Sequence, residues 1–272
     1  MSGSFGRGEA IGHAGEILQG AIGNEAFLVT LPAPVLQSTA TAEPVARWCI
    51  DPGTKWKALR AAQMATAAWG VSAQFRLQIL SAIPEGRGCG SSTSDCVAAV
   101  RAVANCLGRS VSEEETATHV HAAEAASDST MYGESPVVFL PRRGVLLRRI
   151  EGGWPPTHVT VFDLGGPPVD TLSIEIGERP EHQSLLEQLE GGFFRRDLQC
   201  IAEVATASAH LQQEQHPRAS WRPIYHAAIE AGALGVAVAH SGNVAAALSR
   251  HPLDLPALYR YQLGDNSCQS FS

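Results

Sequence analysis

The chain has almost no lysine. Of its 20 basic residues only Lys55 and Lys57 are lysines, and the other eighteen are arginines. A mechanism that needs a catalytic or Schiff-base lysine therefore has two candidates, which flank Trp56 in one short stretch. The 27 acidic residues outnumber the basic ones and give a formal net charge of −7. This balance is the opposite of the basic excess typical of nucleic-acid-binding proteins, so nucleic acid is excluded as a main partner.

Long apolar runs and paired cysteines are also absent. No stretch approaches the roughly 20 apolar residues of a membrane span, and the first residues lack the apolar run of a signal peptide. The six cysteines show no CxxC pair and no metal-ligand spacing. These absences predict a cytoplasmic protein with reduced thiols and no membrane partner. At 272 residues and 44% hydrophobic content, the chain is long enough to bury a real core.

Predicted helices and strands intermix without strict βαβ regularity, which favours an α+β fold with two lobes. Pro32 and Pro34 are expected to end the first strand or to start a bend. The glycine- and proline-rich segment 152–156 predicts a boundary between domains 1–152 and 153–272. Hydrophobic periodicity predicts strands at 26–30, 75–79, 145–150, 159–164, 172–176 and 236–239. It predicts helices at 58–69, 91–107, 113–126, 184–190, 196–213, 222–231 and 244–248.

The most informative segment, residues 84–95, lies between a predicted strand and a predicted helix. Gly86, Gly88 and Gly90 alternate in it, which leaves the backbone free of Cβ atoms and able to adopt positive φ. The three hydroxyl residues 91–93 follow and open the helix. Unpaired N–H groups, hydroxyls and the positive end of the helix dipole then converge on one point. This combination predicts a phosphate cradle.

Two other interpretations of this loop fail. A P-loop needs Gly-Lys-Ser/Thr, and the loop contains no lysine. A nucleophile elbow needs a glycine two residues after the serine, and none is present, so a serine hydrolase is excluded. Ser92 and Asp95 match a capping box, and a glycine turn before a capped helix is the plain structural alternative. Three alternating glycines followed by three hydroxyl residues exceed what a turn requires.

The sequence Pro-Glu-Gly-Arg-Gly-Cys-Gly-Ser-Ser-Thr at 84–93 resembles the signature loop of the GHMP small-molecule kinases, usually Pro-x3-Gly-Leu-Gly-Ser-Ser-Ala. Cys89 stands where that loop has leucine, and Thr93 where it has alanine. The hydroxyl at the last position is similar to one branch, the L-threonine kinases of cobalamin side-chain synthesis. Arg87 departs from the lysine usual in that branch, and the two are not equivalent at a phosphate.

Three further blocks resemble the same branch and occur in its order. Residues 12–20 contain Gly-Glu-Ile-Leu-Gln-Gly, which is similar to its Gly-Glu-Leu-x-Gln-Gly motif. Residues 124–130 are similar to its Glu-x-x-Asp-Ser-Thr segment with one residue added, and residues 238–242 to its Val-Ala-His-Ser-Gly turn. The resemblance implies a GHMP kinase fold, with an S5-like N-terminal lobe and a ferredoxin-like C-terminal lobe. It also implies ATP and Mg²⁺ as cofactors and a small hydroxy amino acid, L-threonine first, as substrate.

The resemblance also assigns roles to individual residues. Asp128 would orient or deprotonate the acceptor hydroxyl, and Ser92 with Glu124 would hold Mg²⁺. Residues expected to bind the nucleotide are Gly86, Arg87, Gly88, Cys89, Gly90, Ser91, Ser92 and Thr93. Residues expected near the substrate are Glu16, Gln19, Gly20, His240, Ser241 and Gly242.

Each site residue also has a plainer interpretation. Glu16, the only charged residue in 12–23, could be an exposed turn residue, and Asp128 could be a local cap between hydroxyls. Glu124 lies where a carboxylate opposes the helix dipole, which suggests a cation partner, but it could be an exposed helix glutamate. Ser241 could cap the helix predicted after it, and His240 could be structural.

Two arginine pairs and the choice of substrate leave further alternatives. Residues 142–143 and 148–149 are typical of solvated strand ends, although one pair could hold a substrate carboxylate bidentately. The acceptor could be another hydroxy amino acid or an amino alcohol. An inactive GHMP fold that senses a nucleotide or metabolite is the rival of another class, and it would not need carboxylates at both Glu124 and Asp128.

Overall fold

The computed structural model describes residues 5–23, 25–166 and 177–264, so the strand predicted at 172–176 lies outside the described residues. The strands in these ranges are β1 (Gly6–Ile22), β2 (Glu25–Val45), β3 (Cys49–Asp51), β4 (Gln74–Ser81), β5 (Val137–Leu140), β6 (Val145–Arg149), β7 (Thr157–Asp163), β8 (Gly235–Val238), β9 (Val244–Ser249) and β10 (Tyr259–Leu263). The helices are α1 (Trp56–Ala68), α2 (Ser91–Cys106), α3 (Glu113–Ala123), α4 (Pro180–Phe194), α5 (Leu198–Gln215) and α6 (Trp221–Glu230). None of these helices is long and apolar enough to cross a lipid bilayer.

One curled sheet organises the molecule, in the order β10-β7-β9-β8-β1-β2-β4-β3, with β5 joining β2 to β6. A buried apolar cluster connects α1, α2 and α3 to β2 and β4. A second cluster connects α4 and α5 to β1, β2 and β7–β9. This mixed architecture confirms the predicted α+β class. The division at residues 152/153 stays a prediction, and β1 pairs with β8 across it through Glu16 and Val238.

The helix predicted at 244–248 is wrong, because this segment is strand β9. It pairs antiparallel with β7 on one side and with β8 on the other. All six of its residues are buried, and the small alanine side chains fit between the packed layers. Tertiary packing therefore overrides the intrinsic helix propensity of alanine.

Of the two alternatives for Pro32 and Pro34, the end of the first strand is wrong, since β2 continues to Val45. The pairing with β1 is irregular beside these prolines, because Gly12 pairs with Ala33 and Ile11 with Gln37. Pro32 pairs with His13 of β1. On the other edge of β2, the β5 pairing stops at Leu28 and the β4 pairing begins at Ser38. No described strand needs an N–H from either proline on that edge, so the sheet tolerates both.

The N-terminus of α3 agrees with the sequence pattern, whereas the N-terminus of α2 does not. Residues 112–115, Ser-Glu-Glu-Glu, have a capping-box pattern, which predicts the start of α3. Ser112 is the N-cap, and its Oγ accepts a hydrogen bond from the backbone N of Glu115 at 3.0 Å, whereas the Glu115 side chain accepts from Trp69 Nε1 at 2.6 Å. The predicted Ser92–Asp95 capping box is wrong. Gly90 is the N-cap of α2, and no side chain caps it. Asp95 is buried and instead accepts from Ser38 Oγ at 2.6 Å.

Candidate active site

All three loop glycines adopt the left-handed backbone that the sequence predicts for them. Their φ angles are 68° at Gly86, 72° at Gly88 and 73° at Gly90. A Cβ on Gly88 would lie 2.3 Å from the Cα of Gly242, so the loop touches the turn between β8 and β9. A Cβ on Gly90 would lie 2.6 Å from the His13 ring. Close approach on two sides, as well as the turn itself, therefore requires glycine.

The loop leads directly into the N-terminus of α2. The first helical hydrogen bond runs from Ser94 N to Gly90 O, so the N–H groups of residues 91–93 have no intrahelical partner. Such a terminus attracts anions. A cavity of about 240 Å³ adjoins it, lined by Thr54, Lys55, Trp56, Lys57, Ala58, Glu85, Gly86, Ser91, Ser92 and Asp95.

Glu124 and Ser92 meet beside this helix terminus. The α3 helix ends at Ala123, three residues earlier than predicted, and Glu124 is extended. The Ser92 hydroxyl donates to Glu124 Oε1, Thr93 Oγ1 donates to Oε2 at 2.8 Å, and Lys57 Nζ lies 3.4 Å from Oε1. Burial raises the pKa of Glu124. A hydroxyl and a carboxylate are the oxygen ligands that Mg²⁺ prefers, so the donor set fits this ion.

Asp128 lies close to this pair. Its side chain keeps 26% of its surface exposed, and it lines a cavity of about 180 Å³ with Lys57, Ser92, Thr93 and Glu124. Burial acts to raise the pKa of Asp128, but the His13 ring 3.4 Å away outweighs it and lowers the pKa. Asp128 is therefore ionised at neutral pH and can accept a proton.

Glu16 is buried rather than an exposed turn residue, with 1% of its side-chain surface accessible. Its Oε2 accepts a hydrogen bond from the His240 backbone N at 2.5 Å. The His240 ring contacts Gln19 Oε1 at 3.0 Å through Nδ1. Burial raises the pKa of Glu16 to about 7 and lowers the pKa of His240 to about 4. Motifs 12–20 and 238–242 thus meet in one buried polar cluster.

Comparison with known proteins identifies the fold and a matching segment of the sequence. Residues 56–133, which contain the glycine loop, Glu124 and Asp128, match the family model described as the GHMP kinases N terminal domain. Mevalonate kinase from methicillin-resistant Staphylococcus aureus superposes with a TM-score of 0.64 over 95% of this chain and 98% of that chain, at 18% identity. The fold is that of the GHMP kinases.

Two other solved structures have the same fold. Homoserine kinase from Cytophaga hutchinsonii is 14% identical, with a TM-score of 0.65 over 90% of this chain and 85% of that chain. Phosphomevalonate kinase from Streptococcus pneumoniae, in complex with phosphomevalonate and AMPPNP, is 15% identical, with a TM-score of 0.65 over 96% of this chain and 100% of that chain. No curated protein sequence matched the chain.

Some predicted site residues of this GHMP kinase fold do not present a side chain to the cavities. Gly20 lies within β1, where a Cβ would be 2.8 Å from the His182 ring. Cys89 turns its thiol into the core, where burial raises its pKa to about 11. Arg87 extends its guanidinium to Asp163, with both carboxylate oxygens 2.9 Å from its NH1 atom. Ser241 and Gly242 lie in the turn between β8 and β9, where Gly242 packs against the glycine loop.

The fold brings to the site several residues that the sequence motifs do not identify. Lys57 lies beside Glu124, and Lys55 binds Asp95 and Glu85 at 2.6 Å each. The scarcity of lysine, with both lysines in one stretch, was the available indication. His13 lies inside motif 12–20 but was not singled out. Arg218, whose NH2 atom donates to Gly242 O at 2.6 Å, had no indication in the sequence.

Arginines of both predicted pairs bind acidic side chains. Arg143 contacts Glu25 at 2.8 Å, Arg148 contacts Glu190 at 2.5 Å and Arg149 contacts Glu113 at 2.7 Å. These ion pairs are exposed, as expected for solvated strand ends.

Proposed function

We propose that this protein is a GHMP-type kinase that transfers the γ-phosphate of ATP to the side-chain hydroxyl of a small amino acid, L-threonine first. One observation carries the proposal. Ser92 of the glycine loop lines one cavity beside the N-terminus of α2 together with Glu124 and Asp128 of the 124–130 motif. A phosphate cradle, an oxygen pair suited to Mg²⁺ and an ionised carboxylate are the parts that phosphoryl transfer to an alcohol requires.

The cavity beside the glycine loop is suited to a nucleotide. Trp56 is 55% exposed at its rim, where its ring can stack on a base. Lys55 and Lys57 flank it and supply positive charge next to the cradle. A related structure contains AMPPNP, an ATP analogue, which supports ATP as the phosphate donor.

The chemical step would use each group at a definite place. Mg²⁺ would be held by Ser92 and Glu124, and when bound it neutralises charge on the nucleotide phosphates. The acceptor hydroxyl oxygen attacks the γ-phosphorus, the bond from the γ-phosphorus to the β–γ bridging oxygen breaks, and ADP leaves. Asp128 accepts the hydroxyl proton, and Lys57 places an ammonium group on the wall of the same cavity. Such a reaction depends chiefly on positioning and charge stabilisation.

The acceptor class is supported by the buried polar cluster and by the comparisons. Glu16 offers a carboxylate oxygen suited to an α-ammonium group, and a carboxylate oxygen of Glu16 lies within 4.8 Å of one of Asp128. Homoserine kinase, named for a hydroxy amino acid, has the same fold. L-Threonine is favoured by the four motifs that resemble the L-threonine kinases of cobalamin side-chain synthesis. Another hydroxy amino acid, or an amino alcohol, is the alternative.

An ADP-release assay over a panel of acceptors with Mg-ATP tests this proposal. The panel contains L-threonine, L-serine, L-homoserine, 1-amino-2-propanol and mevalonate. L-Serine should be about 10–200-fold poorer than L-threonine in kcat/KM, because it lacks one methyl group. Analogues without the α-amino or α-carboxylate group should be about 10⁴-fold poorer, because buried polar partners are left unpaired. A higher kcat/KM for homoserine or serine than for threonine would change the assigned substrate but leave the kinase activity in place. ATP binding without turnover of any acceptor would favour a sensor.

A further inference from the structure

His13 is held firmly beneath the glycine loop. Its backbone N donates to Cys89 O at 3.0 Å, and its ring fills the space that a Cβ on Gly90 would need. Only 3% of its side-chain surface is exposed. The position of this ring is therefore set by the loop that the proposed function assigns to phosphate binding.

The hydrogen bonds of the ring define its tautomer. Gly15 N donates to His13 Nδ1 at 3.2 Å, and a nitrogen that accepts a hydrogen bond carries no proton. The proton of the neutral ring is therefore on Nε2, which lies 3.4 Å from Asp128 Oδ2. Among the described residues Nε2 has no hydrogen-bond partner. It is a buried donor 3.4 Å from a carboxylate oxygen, beyond the usual N–H···O distance.

The charges around His13 favour the same pairing. Glu16 Oε1 lies 3.8 Å from Nδ1 on the other side of the ring. Burial opposes the charged form of His13, but the carboxylates of Asp128 and Glu16 outweigh it and raise the pKa of the histidine. The other titratable or charged groups that act on these three are Cys89 of the loop, Glu124 after α3, Arg218 after α5 and His240 after β8.

We propose that His13 is a positioning residue for Asp128, whose Oδ2 accepts a hydrogen bond from His13 Nε2–H so that Oδ1 faces the acceptor hydroxyl. The inference rests on the proposed function, in which Asp128 receives the hydroxyl proton. A movement of Asp128 by a few tenths of an ångström closes the hydrogen bond. The hydroxyl proton goes to Asp128 Oδ1, and His13 keeps its own proton throughout.

Two substitutions separate the parts of this role. His13→Gln places an amide N–H where Nε2–H lies, which keeps a donor and removes the titratable group, whereas His13→Leu removes both. With Mg-ATP and L-threonine, His13→Leu should lower kcat by about 10²-fold, as expected for a misplaced base. The KM for ATP should stay within about twofold. The acidic limb of the kcat/KM profile should move to higher pH, and His13→Gln should recover most of kcat at pH 8.

The interaction can also be measured without turnover. In wild-type protein with labelled histidine, NMR at a pH above the His13 pKa, where the ring is neutral, should report the tautomer with the proton on Nε2, and Asp128→Asn should lower the pKa of His13. In the Asp128→Asn background, His13→Leu should cost no further activity, because the two residues act through one another. Melting temperatures of all variants control for folding.

The outcomes distinguish this inference from the proposed function. If His13→Leu has native kcat and an unchanged pH profile while Asp128→Asn is inactive, the inference about His13 is overturned and the proposed function stands. Near-native turnover in Asp128→Asn would remove Asp128 as the base and overturn the inference while the kinase activity stands, whereas absence of turnover in the wild-type protein would contradict the proposed function. The three side chains His13, Glu16 and Asp128 each offer a ligand atom within 4.8 Å of the others. Stoichiometric Zn²⁺ binding that is lost in His13→Gln would therefore replace the hydrogen bond with a metal site and overturn the inference. If His13→Leu does not fold, His13→Gln and the NMR measurement decide.

Discussion

The difference in free energy of unfolding between Glu16→Gln and wild type should shift in favour of the variant as pH rises. The Glu16 side chain is 1% exposed, and burial is the main cause that raises its pKa from 4.5 to about 7. Glutamine is nearly the same size, and its amide oxygen can still accept the hydrogen bond from His240 N. The substitution therefore removes a buried titratable group and keeps the packing.

The magnitude follows from the pKa. Between pH 4.5 and pH 7 folded Glu16 keeps a proton that the unfolded chain releases, so the free energy of unfolding falls as pH rises. At 1.36 kcal/mol for each pKa unit, the shift from 4.5 to about 7 corresponds to a loss of about 3 kcal/mol that the glutamine variant does not suffer. His13 has a raised pKa and also loses its contribution as pH rises, so the two changes have the same sign.

Urea unfolding followed by circular dichroism at pH 5 and pH 8 measures the effect. Glu16→Gln should gain up to about 3 kcal/mol over wild type between the two values. Glu9→Gln is the matched control on the same strand, since the Glu9 side chain is 52% exposed, and it should show the same stability difference at both pH values. A Glu16→Gln difference that does not change with pH would refute the reasoning.

Three further substitutions test the nucleotide and phosphate contacts. Lys57→Met should lower kcat by about 10²–10³-fold, as for the loss of one preorganised charge, and calorimetry should show weaker ATP binding, because Lys57 also lines the nucleotide cavity; a native kcat would exclude Lys57 from the chemistry. Trp56→Ala should weaken ATP binding by about tenfold because one base stack is lost, and the quenching of tryptophan fluorescence on ATP titration should decrease with it; unchanged affinity would place the base elsewhere. Ser92→Ala should raise the Mg²⁺ concentration needed for half-maximal turnover more than it raises the Kd for ATP measured in EDTA, and an unchanged Mg²⁺ dependence would remove Ser92 as a ligand.

The fold was predictable wherever periodicity and turn chemistry agreed. Helix α2 follows a glycine loop and ends before Gly108, and strand β4 alternates polar with apolar residues, so both were found from the sequence. The segment 244–248 was assigned to the wrong class because alanine favours a helix locally. Only its two neighbouring strands, β7 and β8, make it a strand. Pro32 was misjudged because the sequence does not show which edge of β2 lacks a partner.

The site was predictable as motifs but not as contacts. The phosphate loop, Glu124 and Asp128 could be located because each lies in a short recognisable segment. Lys57 could not be paired with Glu124, because the contact depends on how α1 packs against α3. His13 lies in a recognised motif, yet its partner Asp128 is more than a hundred residues away. No local pattern in the sequence encodes that pairing.

The most direct test of the account measures Asp128→Asn turnover and nucleotide affinity side by side. Asparagine keeps the size of the side chain but cannot accept the hydroxyl proton, so kcat with Mg-ATP and L-threonine should fall by about 10²–10⁴-fold. The Kd for ATP should stay within about twofold, because the phosphates rest on the separate 86–93 loop. Phosphorus NMR, which follows phosphothreonine and ADP, provides the rate, and calorimetry provides the affinity. Near-native turnover in a folded Asp128→Asn protein would contradict the central claim that this carboxylate is the base of a kinase.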